Sequence, residues 1–439
     1  MTDTDAMTSF NQGLLEFLAQ SPTAFHAAAT MARHLQKAGF QRLYESESWQ
    51  LQAGERYFVL RNDSSIIGFV YGTDELTTGG IRMLGAHTDS PNLKLKPAAD
   101  VYRCGYHQLA VEVYGGALLS TWFDRDLSLA GRVTFKDAGD KIRSVLVDLV
   151  RPVAVVPNLA IHLDREANRN RSINPQDDIK PILLQAEKGA STWQALLADA
   201  VKEQHPDVEV TAILDSEISL YDTQKPALVG YQNEFIASSR LDNLLSCYVG
   251  LVSLLRADTK TSSLLVCTDH EEVGSASACG ARGPMLEQFL QRLLPDTETR
   301  LRVIDRSLMI SADNAHGIHP NFAAKHDAGH GPLLNAGPVI KVNANQRYAT
   351  TSETGALFRW LCQQNNVPVQ SFVSRTDMEC GSTIGPISSA EVGVKTLDVG
   401  VPTFAMHSIR ELAGRDDAWS LHRVVAAFFA RPEAPGDFG

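Results

Sequence analysis

No two of the six cysteines are spaced as C-x-x-C, so neither a thiolate zinc knuckle nor a dithiol redox motif is written into this chain. Several of Cys104, Cys247, Cys267, Cys279, Cys362 and Cys380 sit inside apolar stretches, which predicts buried free thiols in a reducing cytoplasm. No apolar run approaches the ~20 residues that a membrane helix requires. A basic block is missing as well. With 40 Lys+Arg against 51 Asp+Glu the net charge is −11, which argues against a nucleic-acid or anionic-membrane partner. The opening residues, MTDTDAM, are polar and acidic, the reverse of a secretory leader, and this again predicts a cytoplasmic protein. Repeats and low-complexity segments are absent. What remains is an ordinary globular composition, 44% hydrophobic and 21% charged over 439 residues, long enough for two domains.

The punctuation of the chain predicts its organisation. Ser21 as cap, Pro22 in the first turn and Gly39 at the close frame a helix over 23–37. Strand-like runs follow at 56–60, 65–71 and 81–85, the last delivering His87-Thr88-Asp89. From about 97 the texture changes to alternating runs such as 111–114 and 132–135, with Gly and Asp turns between them, a polar loop at 168–178 and a helix over 191–203. After 233 strands and helices alternate: Asp242 as N-cap of a helix over 244–255, then strands at 263–267, 307–311, 367–373 and 395–399. A run over 403–406 delivers His407, and a helix over 418–429 closes the chain. The expected division is a sheet domain in two parts, 1–97 and 234–439, interrupted by a β-rich domain over 98–233.

One octapeptide, Thr268-Asp-His-Glu-Glu-Val-Gly-Ser275, follows the apolar strand 263–267. Ligands of open α/β sheets bind at the carboxyl ends of strands. Two adjacent glutamates there repel each other, and a divalent metal would compensate them, with one glutamate as ligand and the other free to move protons. A charged loop capping the next helix is the alternative. His87, Asp89, Asp242, Glu271, Glu272, Asp313 and His407 all fall at a strand end or a helix start. Imidazole nitrogen and carboxylate oxygen are what zinc takes without thiolates. Two histidines and three carboxylates, one of them bridging ions ~3.5–4 Å apart, would furnish two sites that each keep an open position. Singly, Asp242 reads as a helix cap, His87 or His407 as a core histidine, and Asp313 as part of a turn.

Five runs carry a resemblance: Ala86–Pro91 (AHTDSP), Ser239–Asn243 (SRLDN), Asp269–Ser275 (DHEEVGS), Ser311–His316 (SADNAH) and Ala405–Glu411 (AMHSIRE). With Gly337–Asn343 and Cys380–Pro386 they resemble, in order and along the whole chain, the aspartyl aminopeptidase family of co-catalytic zinc metallo-aminopeptidases. The resemblance implies a hydrolase that removes the N-terminal residue of peptides. Its fold would be a three-layer α/β/α sandwich with a mixed sheet, as in zinc exopeptidases, and its inserted β-rich domain would serve dimerisation. It implies two zinc ions per subunit, cobalt or manganese being tolerated by the same ligands. His87, Asp242 and Asp313 would hold one zinc, and Asp242, Glu272 and His407 the other. Asp89 would orient the His87 imidazole, and Glu271 would be the general base. His270 is left without a role.

Further roles follow from the same likeness. His162, in the run Asn158–Arg165 that alternates like a strand, matches a histidine that reaches a neighbouring subunit's active site in the family. This implies a homo-oligomer, assembled from dimers into a tetrahedral dodecamer. Lys341 matches the lysine placed near the substrate's N-terminal side chain in members with acidic specificity, whereas Arg375–Cys380 departs from the shorter segment of the aspartyl-specific eukaryotic members. His316, His319, His326 and His330 match positions outside the metal site and are read as structural. The competing functional readings are a related di-metal amidase or deacylase and a non-catalytic assembly protein that keeps the fold. The second would be free to lose Glu271 or a ligand, and this chain retains them all.

Overall fold

The computed structural model describes residues 3–186 and 191–437. They fall into two compact units: the chain up to Asp89 with Pro226–Met406 and the chain from Glu411, and Ser90–Lys225 with His407–Arg410.

The first unit is built on a nine-stranded mixed sheet. Its order is Gln41–Leu43, Arg56–Arg61, Ser65–Val70, Ser263–Thr268, Arg82–His87, Leu308–Ala312, Lys395–Gly400, Val339–Lys341, Gln370–Phe372. The four central strands are parallel, and their residues are almost all buried, because helices cover both faces. Alternation of side chains divides the apolar residues between two cores. Leu84, Ala86, Leu265, Cys267 and Ile310 pack with the helices Asp3–Ala19, Ala24–Lys37, Leu241–Arg256 and Asp417–Ala430. Their neighbours Met83, Leu264, Val266 and Met309 face the helices Met285–Leu293 and Thr297–Arg306 instead. The α/β sandwich with a mixed sheet is thus the observed fold. A separate five-stranded sheet joins Ala227–Val229, Phe235–Ser238, Glu411–Gly414, Pro402–Phe404 and Ala315–His316.

The parallel register positions the chemistry. Thr268 pairs with His87 across adjacent strands, and the strand Leu308–Ala312 lies on the other side of Arg82–His87. The segments that follow these strands therefore emerge side by side at one edge.

The second unit is a six-stranded antiparallel sheet, ordered Ile142–Asp148, Leu127–Asp137, Val210–Asp222, Asn92–Arg103, Tyr106–Tyr114, Ile182–Gln185. Its core of Leu93, Leu109, Leu127, Val133, Ile218 and Leu220 is closed by Leu197 and Val201 of the helix Trp193–Gln204.

Several local readings shift. The strand Asn92–Arg103 runs unbroken through position 97, so the second unit begins at Ser90 rather than 98. Ala227–Val229 pairs with Phe235–Ser238, which brings these residues into the first unit although the lobe was expected to run to 233. Thr23, not Ser21, caps the helix Ala24–Lys37, and the Ser21 carbonyl instead accepts from Arg240 Nε at 3.0 Å. The helix Asp3–Ala19 was not anticipated, although Phe10, Leu14, Phe17 and Leu18 give it a buried stripe.

His422 ties three helices of the first core together. Ser253 Oγ donates to the Val249 carbonyl at 2.7 Å, so at 2.8 Å it can only accept from His422 Nδ1–H. The opposite nitrogen, Nε2, accepts from Arg256 at 3.1 Å, and the ring stacks on Phe10 at 5.1 Å. Burial, followed by the Arg256 charge, drives the imidazole from 6.5 down to about 3. An unfolded chain takes up this proton near pH 6.5, the native one only near pH 3, so acid favours unfolding across that window. Up to about 5 kcal/mol of stability should be lost there. Denaturant titrations at stepped pH check this, with His422→Asn expected to flatten that part of the slope; parallel profiles would refute it.

Candidate metal centre

His87 ends the central strand Arg82–His87 and is buried. Its Nδ1 lies 3.0 Å from the Asp89 carbonyl oxygen, an acceptor only, so this nitrogen carries the proton. Nε2 faces three carboxylates: Asp242 Oδ1 at 3.4 Å, Asp313 Oδ1 at 3.6 Å and Glu271 Oε2 at 3.9 Å. One ligand atom from each of His87, Asp242 and Glu272 lie within 4.8 Å of one another. The structure thus brings together His87, Asp89, Asp242, Glu271, Glu272 and Asp313.

The local backbone explains how. Arg240 and His270, each just before a carboxylate-bearing segment, adopt left-handed conformations (φ 61° and 64°) that redirect the chain as it leaves its strand. Asp242 is not the N-cap read from the sequence. Arg240 takes that place, and Asp242 lies inside the first turn with non-helical torsions (φ −83°, ψ 106°). Its N–H donates to Glu411 Oε2 at 2.9 Å, and the adjacent Asn243 amide donates to the Ala312 carbonyl at 2.8 Å. Asp89 does more than face the imidazole of His87. Its Oδ1 accepts from Glu271 N–H and its Oδ2 from Glu272 N–H, both at 3.1 Å. Its Oδ1 also lies 3.4 Å from His87 Nδ1.

The electrostatics are those of a site short of positive charge. Burial and then Asp242 hold Glu272 well above the usual carboxylate range. Burial, with Asp313, Asp242 and Asp89 opposing the pull of His87, lifts Glu271 to about 7. For His87 burial works downward, but hydrogen bonds to Asp242, Asp313 and Asp89 carry it well above 6.5. A divalent cation among these oxygens and Nε2 would relieve all three conflicts at once, and the hard oxygen and imidazole donors suit zinc. The residues fit a metal.

Of the other expected residues, Lys341 adjoins this group through Asp313, and His407 and His162 belong to the second unit. Lys341 is buried, with its ammonium donating to Asp313 Oδ2 at 3.2 Å and the Asn314 carbonyl at 3.1 Å and standing 5.1 Å from the Tyr348 ring centroid. It is directed at Asp313, in a buried ion pair. His407, also left-handed (φ 67°), belongs to the second unit, where its Nδ1 lies 3.2 Å from the Gly116 carbonyl oxygen. A side chain at Gly116 would press on that ring at 3.2 Å. His162 is exposed and lies in a turn, closed by Leu163 N–H to the Ala160 carbonyl at 2.8 Å, rather than in the strand its alternation predicted. His316, His319 and His326, read as structural, share a cavity of about 330 Å³ with Tyr348, Phe372 and Arg375. Glu411 was missed, since nothing but its place in the run Ala405–Glu411 marks it in the sequence.

A family model described as Aminopeptidase I zinc metalloprotease (M18) matches residues 17–429. The chain belongs to the M18 aminopeptidase family. It is 59% identical over 426 residues to a probable M18 family aminopeptidase 2 of Pseudomonas savastanoi, covering 97% of this chain and 99% of that one. Among solved structures it is similar to the chain in a complex of Ape4 and Nbr1 (37% identity, TM-score 0.92, 97% of this chain and 86% of that one). It is also similar to the mApe1 dodecamer of S. cerevisiae (28% identity, TM-score 0.83, 95% and 96%). An M18 aminopeptidase is a hydrolase, and the family is one of zinc metalloproteases. No helix among the described residues is long and apolar enough to cross a membrane.

Proposed function

We propose that this M18 aminopeptidase works through two zinc ions, with Glu271 as the general base and acidic N-terminal residues as preferred substrates. The observation that carries the reading is the convergence of Asp242, Asp313 and Glu271 on His87 Nε2. His87, Asp242, Asp313 and Glu272 would hold the ions, and the ligand sets implied by the family resemblance, His407 included, stand as proposed. Bound there, zinc would polarise the scissile carbonyl and make water a stronger acid. Glu271 takes a proton from the attacking water and returns it to the departing amine, a task matched to a carboxyl held near 7. Asp89 fixes the backbone of both glutamates, so Glu271 stays aimed while Glu272 ligates. Lys341 neutralises one oxygen of Asp313 and leaves the other toward His87.

The cavity beside Tyr348 is read as the pocket for the substrate's first side chain. Lys325 and Arg375 line it against one glutamate, Glu379, with Arg375 also paired to Asp377 at 2.6 Å, and the three histidines, His316 and His326 held below 6.5 by burial, add ring nitrogens that could hydrogen-bond a carboxylate. The exposed side chains of Leu159, Ile161 and Leu163 around His162 (54%, 48% and 75%) are read as a contact between copies in a homo-oligomer, assembled from dimers as a dodecamer. A panel of Asp-, Glu- and Leu-p-nitroanilides, with and without chelator, tests the reading. Release is expected to fall at least tenfold with chelator and to be faster for Asp and Glu than for Leu. Insensitivity to chelator would sink the metal assignment, and a faster Leu substrate would sink the acidic preference.

A further inference from the structure

The loop that carries Glu271 and Glu272 is held at both ends by a second group of metal-binding side chains. Asp269 and His270 precede the two glutamates, and Cys279 follows them. One ligand atom from each of these three lie within 4.8 Å of one another. Asp269 Oδ2 is 3.5 Å from His270 Nε2, and Cys279 Sγ is 3.5 Å from His270 Nδ1. Ser277 Oγ lies 2.8 Å from His270 Nδ1 and 3.5 Å from the thiol, in the place of a fourth donor. Asp269 and Cys279 are buried, while the His270 side chain keeps 29% exposure and leaves an entry path. Ser65 joins the two ends of the loop beneath: its Oγ accepts from Asp269 N–H at 2.8 Å and donates to the Cys279 carbonyl at 2.8 Å. Thiolate, imidazole and carboxylate gathered this closely form a donor set for a soft divalent ion, chemically unlike the oxygen-rich group around His87.

We propose that Asp269, His270 and Cys279 form an additional site for a thiophilic divalent ion that clamps the loop bearing Glu271 and Glu272. Binding releases the thiol proton to solvent and, because the imidazole gives the ion one nitrogen only, requires the three ligand atoms to close from within 4.8 Å to the ~3.3–3.8 Å that separates tetrahedral ligands. The consequence is a loop fixed at positions 269, 270 and 279, with the working glutamates between them. The site needs no redox partner and does not depend on which peptide is cleaved.

Cobalt(II) is the probe, because a thiolate ligand gives a sulfur-to-cobalt charge-transfer band in the near ultraviolet that nitrogen and oxygen ligands do not. Titrating the purified, zinc-loaded enzyme with cobalt should raise this band to saturation at one equivalent of thiolate-bound ion per subunit. Cys279→Ser and, separately, His270→Ala should abolish it, while Cys104→Ser, which removes the exposed thiol, should leave it intact. The melting temperature of the native chain should rise with cobalt by a few degrees more than that of Cys279→Ser. Absence of the band in the native chain, its survival in Cys279→Ser, or its loss in Cys104→Ser would each overturn the proposal. The band reports thiolate ligation alone, so its outcome is independent of whether the two-zinc reading of the neighbouring group holds.

Discussion

Glu271→Gln is expected to keep its fold and its bound metal and to lose on the order of a thousandfold in kcat. The glutamine has the same shape, and the backbone N–H that holds this residue to Asp89 Oδ1 at 3.1 Å is untouched. Removing the negative charge even eases the crowding at His87 Nε2, 3.9 Å from Glu271 Oε2. What the amide cannot do is accept a proton from water and pass it to the departing amine. Native kcat/KM should rise with pH as the Glu271 carboxyl ionises, from an environment that holds it at about 7 before any cation lowers it. The residual activity of the variant should lack that acid limb. Turnover within tenfold of native would remove Glu271 from the base role, whereas lost metal would move it into the ligand set.

Asp242→Asn should have a comparable effect by a different route. Asp242 Oδ1 stands 3.4 Å from His87 Nε2, and its backbone N–H is tied to Glu411 Oε2 at 2.9 Å. The asparagine can keep that backbone bond and the non-helical torsions, but it loses the charge and one acceptor oxygen. If Asp242 bridges two ions, as proposed, its loss would weaken both. Metal content should fall below that of the native chain and kcat by at least about a thousandfold, equivalent to several kcal/mol of barrier. Elemental analysis of the dialysed variant beside its kinetics decides the matter. A full metal complement with native turnover would show that Asp242 is not a bridging ligand.

The parts of the fold that the sequence shows clearly are those where periodicity and burial agree. The strands around 81–87, 263–268 and 308–312 are near-continuous apolar runs, and each delivers a polar residue at its end or just past it, His87, Thr268 and Asp313, that packing alone does not call for. Residues whose position depends on long-range contacts read less clearly. Asp242 looks like a helix cap because Ser, Asp and Asn at a helix start usually are, and only the left-handed turn at Arg240 moves it into the first turn. Lys341 looks exposed on its strand because its partner, Asp313, is 28 residues away. Its burial is a tertiary fact without local signature. His162 alternates with apolar neighbours as a strand would, yet Leu159, Ile161 and Leu163 are exposed, so the pattern does not mark a strand with one buried face. Cys279 and His270 lie nine residues apart, and their meeting depends on the loop being closed over Ser65.

One of these contacts has a bearing on how the loop can vary. The two oxygens of Asp89 grip the N–H groups of consecutive residues, Glu271 on Oδ1 and Glu272 on Oδ2. That carboxylate acts as a ruler laid along the backbone, and it measures position without reading side chains. Inserting a single residue between His270 and Glu271 would leave the grip intact while sliding the neighbouring residue into each place. The glutamate aimed at His87 would then stand where its neighbour had been, and the other would leave the site. Variation in this loop is therefore confined to substitutions, and length change is tolerable only beyond Val273, past the last N–H that Asp89 holds.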